Sequence, residues 1–215
     1  MRPNQERLLK HLRETSPSLA AMLEEIEVLT QVLNTKFRIE ALGLLVAQPV
    51  DIIAEVADPS LEAFAKAGVM KIQFRKTYRK RIQYVLEPDK LGAIKLHVDR
   101  LMRSLFGEEE RTPTPGPACP AELARHIFSS PSRLAVVCLL FEMNVHPADL
   151  EDWLGIHIAT SHIHLGKLKE VGLSIPAHDP QRGGNAAQLW NPNKQAIFDV
   201  LCAVKNLLSG EGDGS

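Results

Sequence analysis

Cysteine is scarce in this sequence. Cys119, Cys138 and Cys202 stand far apart and form no CxxC pair. An odd, scattered set does not make a disulfide framework, so a reducing, intracellular compartment is expected. Long apolar runs are missing as well. The longest, LAVVCLLFEM, has half of the ~20 residues needed to span a bilayer. The opening MRPNQERLLKHLRETSP is polar and charged, unlike a signal peptide. A cytoplasmic protein with no membrane contact is expected. There is no excess of one charge: 25 Lys and Arg stand against 26 Asp and Glu. No global field then draws the chain to nucleic acid, and any such binding must come from a local patch. A Gly-rich phosphate loop, GxSxG and HExxH are all absent. Glu24, Glu25 and Glu27 read as a solvated face. Asp149, Glu151 and Asp152 suit a helix start, and Cys138, in an apolar run, suits a core. No constellation meets the needs of catalysis. The chain is expected to be neither an enzyme nor a cofactor or metal protein.

What is present is a break, a tail and a repeat. GEEERTPTPGPACPAE (Gly107 to Glu122) joins an acidic run to four prolines and reads as a fairly stiff linker. The tail SGEGDGS has no apolar residue and should be disordered. On either side of the linker the sequence repeats. TKFRIEALGLL matches SPSRLAVVCLL, with an Arg at the same place, and KAGVMKI resembles EVGLSI. Gly68 to Pro88 spans 20 residues, as does Gly172 to Pro192. Leu45 to Gly68 spans 23 and Leu140 to Gly172 spans 32, so the first copy lacks nine residues in its middle.

Each copy shows one order of elements. A periodic helix comes first, Phe37–Ala47 or Pro131–Glu142. A short helix follows, Val50–Ala57 or Pro147–Leu154. The second copy adds a helix from Ile158 to Val171, capped by Gly172. Two extended runs with a turn come next, and a closing helix ends each copy, Pro88–Phe106 or Pro192–Leu208. Helix, helix, helix, hairpin, helix is the order of a winged helix-turn-helix domain. The expected fold is mainly α with small β-hairpins, as tandem winged helix-turn-helix domains. The expected organisation is N-terminal helices over 1–33, a shortened first domain over 34–106, linker 107–121, a second domain over 122–208 and tail 209–215. Leu19, Met22, Leu23, Ile26, Leu29 and Leu33 form an apolar stripe. It either packs on its own domain or serves a partner.

The second copy resembles the arsenic-repressor-like (ArsR) winged-helix transcription regulators. SSPSRLAVVCLL, DLEDWLGI and TSHIHLGKLKEVGL carry the likeness: Thr160, His164, Leu165, Leu168 and EVGL stand at the offsets of the family's reading helix. LWNPNKQAIFDVL is similar to the end of the wing and the closing helix. In the first half the likeness covers the first helix and the region after Gly68. The resemblance implies a transcription regulator, a repressor, that dimerises through its outer helices. The family's metal ligands are not matched: Asp149–Leu154 has no cysteine, and Asn191–Leu208 has only Cys202.

GIHIATSHIHLGKLKEVG carries three histidines in eight residues. His162 and His164 are two apart, on nearly opposite sides of a helix. His157 and His164 are two turns apart, roughly 10 Å, too far to share a zinc ion. Plain surface histidines, a polar DNA-facing surface, or a metal site completed by a distant Cys or His all remain open. Ile158, Ser161, Leu165, Leu168 and Gly172 form the expected core stripe. Thr160, Ile163, His164 and Lys167 are then expected outside, where Thr160 and His164 meet base edges or phosphates, Ile163 a thymine methyl and Lys167 a phosphate.

That set is weakly charged. The charge lies in KIQFRKTYRKR, with six Lys and Arg and no acid. At a hairpin tip, Arg75, Lys76, Arg79, Lys80 and Arg81 would project together, with Tyr78 adding a hydrogen bond or stack. The plainer alternative is a solvated tip whose cations blunt an edge. The second wing offers only Arg182. One copy would grip the backbone of double-stranded DNA while the other reads bases. The competing functions are a winged-helix protein–protein assembly module and a plasmid- or phage-type replication initiator. Neutralising Arg75, Lys76, Arg79, Lys80 and Arg81 together is expected to weaken binding to all DNA and flatten its salt dependence. A gel-shift titration checks this, and unchanged affinity refutes it.

Overall fold

The computed structural model of the chain describes residues 10, 14, 17–47, 52–54, 58–75, 81–108, 111–114, 120–178 and 188–210. The first half comprises α1 (Pro17–Ala21), α2 (Leu23–Val32), α3 (Lys36–Ala47), β1 (Ile52–Ala54), α4 (Pro59–Lys66), β2 (Met70–Arg75), β3 (Arg81–Leu86) and α5 (Pro88–Phe106). The second comprises α6 (Pro120–Phe128), α7 (Pro131–Glu142), α8 (Asp149–Leu154), α9 (Ile158–Glu170), β4 (Ser174–His178), β5 (Gln188–Pro192) and α10 (Lys194–Leu207). The fold is mainly helical with small antiparallel sheets, ordered β1-β3-β2 and β4-β5.

The sequence repeat is a structural repeat at two places. The first is the start of the leading helix. Thr35 Oγ1 accepts from Arg38 N at 3.2 Å, and Ser130 Oγ accepts from Arg133 N at 3.2 Å. The second is the junction of helix and hairpin. Gly68 has φ 75° and Gly172 φ 74°, a left-handed turn that suits glycine. Val69 N then donates to Phe64 O at 2.9 Å and Leu173 N to Leu168 O at 2.8 Å. Each junction closes its helix and aims the chain into the first hairpin strand.

The short helix expected at Val50–Ala57 is instead a strand where it is described. Ile52 lies opposite Tyr84, in antiparallel pairing with β3. Residues 48–51 and 55–57 lie outside the described residues. A short β-branched run with a free strand edge beside it takes the ladder, and periodicity over so few residues does not separate the two outcomes. The second half has only a bridge at the matching place, Val145 to Trp190. Conversely, α8 has no counterpart among the described residues of the first half. The closing helix expected from Pro192 starts at Lys194: Pro192 ends β5 and Asn193 caps α10, accepting from Ala196 N at 3.3 Å.

One apolar cluster runs through both halves. α2 packs on α5 and also on α7, while α10 packs on α5, α3 and α6. Leu19, Met22, Ile26, Leu29 and Leu33 are all buried, so the N-terminal stripe closes the chain's own core. Glu25, expected in a solvated face, is buried as well. Its carboxylate lies 3.5 Å from His97 Nδ1 and 3.6 Å from the Arg100 guanidinium, both on α5. At the seam, Phe106 of α5 meets Phe141 and Phe198 edge-on, with centroids 4.9 and 5.2 Å apart. Asp99 pairs with Lys205 of α10 at 2.7 Å. Residues 111–114 follow α10: Thr114 donates from N and Oγ1 to Asp199, and Gln195 Nε2 donates to Thr112 O at 3.3 Å. At Gly43 of α3, an added Cβ would stand 2.5 Å from Leu207 of α10. Among the described residues, no helix is long and apolar enough to cross a membrane.

A shared core predicts a single unfolding transition. Phe106→Ala is expected to cost about 3–5 kcal/mol and to lower the melting of both halves together. Calorimetry checks this, and two separate transitions in the wild-type chain would contradict it.

Candidate nucleic-acid interface

α8 and α9 meet at a tight turn. Gly155 is left-handed, with φ 61° and ψ 27°, and its N–H donates to Glu151 O at 2.9 Å. Ile156 is buried and pins the turn to the core. His157 caps α9: its Nδ1 accepts from Ala159 N at 3.3 Å. One expected surface histidine thus has a local task, starting the helix.

The buried face of α9 is Ser161, His164, Leu165 and Leu168. That is the i, i+3, i+4, i+7 pattern of a packed helix. Ser161 Oγ donates to Ile156 O at 3.3 Å, which fixes the first turn against the α8–α9 corner. Beside the buried face runs the stripe of Thr160, Ile163 and Lys167, all exposed, with Ile163 59% exposed. Lys167 pairs with Glu170 at 2.8 Å and holds that carboxyl below its usual range. Both groups face solvent, so this pair is weak and readily exchanged for another anion.

His164 is a correction. It was expected outside and is only 9% exposed. Its offset of three from Ser161 and four from Leu168 puts it inside the packed stripe. Its Nδ1 accepts a hydrogen bond from Arg133 Nε of α7 at 3.3 Å. Burial, then the Arg133 cation, push the imidazole down to about 4. At neutral pH the ring is therefore uncharged, and Nδ1 carries the lone pair that Arg133 needs. Ile158 is the reverse correction: expected in the core, it is 40% exposed, because it starts the helix beyond the packed stripe. His162 is exposed, on the side away from His164.

Arg75 and Arg81 form the last pair of the β2–β3 ladder, so the hairpin turn lies between them. Lys76, Tyr78, Arg79 and Lys80 of that turn, and Arg182 of the second wing, lie outside the described residues. Among the described residues, no group of three or more His, Cys, Asp or Glu is placed to hold a metal ion. Cys138 is buried in the core, and burial raises its thiol pKa. No family model, curated protein or solved structure matches the chain.

Arg133 is absent from the expected site residues, and the Arg shared by TKFRIEALGLL and SPSRLAVVCLL is its trace in the sequence. The side chain supports α9 at His164, on the edge of the packed face, with His126 and Arg125 of α6 close by. Burial first, and then the Arg125 and Arg133 charges, lower the His126 pKa.

The His164 environment fixes the sign of a pH dependence. The unfolded residue titrates near 6.5 and the folded one near 4. Between those values the unfolded chain binds the extra proton, so stability falls as pH drops through that window. His164→Gln keeps an acceptor for Arg133 and cannot titrate. It is expected to recover up to about 2 kcal/mol of the stability lost between pH 7 and pH 5. Urea unfolding at both pH values checks this, and an identical pH loss in the variant would count against it.

Proposed function

We propose that the chain is a DNA-binding transcriptional regulator, a repressor, built from two winged helix-turn-helix copies. One observation carries this reading. α9 follows α8 through a left-handed glycine corner, leads into a hairpin, and turns an exposed Thr160–Ile163–Lys167 stripe outward. Ile163 stands in mid-helix between Thr160 and Lys167 and is 59% exposed. In a major groove that side chain meets a thymine methyl, with Thr160 toward a base edge and Lys167 toward a phosphate. The first copy keeps the hairpin and the basic run around it but has a shorter helix, α4, before it. Gripping the backbone is the task that composition suits. Double-stranded DNA is the partner, and α9 is the element that discriminates among sequences.

The assembly-module reading has one observation of its own. Phe37 and Leu44, on one side of α3, are 59% and 71% exposed. It is the better reading if the chain shows no DNA affinity at moderate salt.

Selecting genomic fragments with the purified protein tests the proposal, with a shared motif as the expected result. On the selected site, Thr160→Ala with Ile163→Ala is expected to lose on the order of 1–3 kcal/mol of discrimination. Affinity for unrelated duplexes should stay unchanged. Competition binding reads both, and a variant that discriminates like the wild type removes α9 from the interface.

A further inference from the structure

We infer that the Arg133 guanidinium grips a backbone phosphate of the duplex that the α9 face enters. This rests on the α9 reading above and names a residue that neither its exposed stripe nor the basic wing contains.

The repeat supplies an internal comparison. Arg38 and Arg133 occupy the same place in the two copies, four residues into the capped start of the leading helix. Both reach toward the helix that precedes the hairpin. In the first copy the fork is consumed internally. Arg38 donates to Gln31 O at 2.9 Å, to Asn34 Oδ1 at 2.8 Å and to Pro59 O at 3.5 Å, and it feels the Asp58 carboxylate. In the second copy, among the described residues, only Nε is engaged, by His164. Among the described residues, no carboxylate pairs with Arg133. Burial first, and then the charge of another cation, Arg125, lower its pKa.

Half-buried cations without a counter-ion are costly to hold. A phosphate would remove that cost. The acids nearby are engaged elsewhere: Glu122 with Arg125, and Glu170 with Lys167. His164, which holds Arg133, stands four residues after Thr160 and three before Lys167 on α9, so Arg133 lies at the edge where the packed face meets the exposed stripe. Because His164 anchors Nε, the terminal nitrogens are already restrained, and a guanidinium fork matches two phosphate oxygens. His164 is the positioning residue for that fork.

Fluorescence anisotropy on a duplex selected by the wild-type protein reads the grip through salt. Losing one phosphate contact lowers the slope of log affinity against log salt by about 0.9. Arg133→Gln should show that loss, so between roughly 50 and 200 mM salt its affinity falls about 3- to 4-fold less than that of the wild type. Arg133→Lys should keep the slope. Equal affinity losses in both variants at the wild-type slope would mean that Arg133 only orients His164, and would overturn the grip. If Arg133→Gln does not fold, wild-type protein on duplexes bearing single neutral methylphosphonates decides. One position should weaken binding and move the Arg133 Nε–H resonance, and no such position overturns the grip. A wild-type chain with no affinity for any duplex sinks the α9 reading and the grip together. Binding with an unchanged Arg133→Gln slope sinks the grip alone.

Discussion

Phe106 is the residue on which the two halves depend. It ends the closing helix of the first copy and lies edge-on to Phe141 and Phe198 of the second. Edge-to-face rings combine large apolar burial with a directional preference, so this trio sets both the closeness and the angle of α5 against α7 and α10. α2 completes the arrangement from the other side by packing on α5 and α7 at once. The copies are therefore not beads on a tether. In the joining segment, Thr112 and Thr114 are bonded along α10.

Much of this was legible in the amino-acid order. The leading helices, the closing helices and both hairpins follow from periodicity, proline at first turns and glycine at ends. The Gly68 and Gly172 junctions follow from the equal spacing to Pro88 and Pro192. What failed was decided by tertiary neighbours. Ile52 joined a strand because Tyr84 offered an edge. Glu25 went inside because His97 and Arg100 waited on α5. His164 went inside because it is the i+3 neighbour of Ser161 in the packed stripe. A polar side chain in a packed stripe is plausible only once its partner is known, and Arg133 lies 31 residues away.

The two halves share some local features and differ in others. The capped helix start, the arginine and the glycine junction persist in both copies. Among the described residues, α8 is found in the second half alone, and a paired strand, β1, stands at the matching place in the first. The arginine diverged without being replaced. In one copy it braces carbonyl oxygens of its own chain, and in the other it is held at a single nitrogen by a neutral imidazole. Here the surroundings of an unchanged residue changed its task.

The seam also has a tight spot at Gly43 of α3, where an added Cβ would stand 2.5 Å from the Leu207 side chain of α10. The crowding is with a leucine side chain and not with the backbone of α10. An alanine there, ordinarily the better helix former, would therefore turn that leucine into another rotamer, and the seam would keep its spacing only if a neighbouring space receives the displaced methyls.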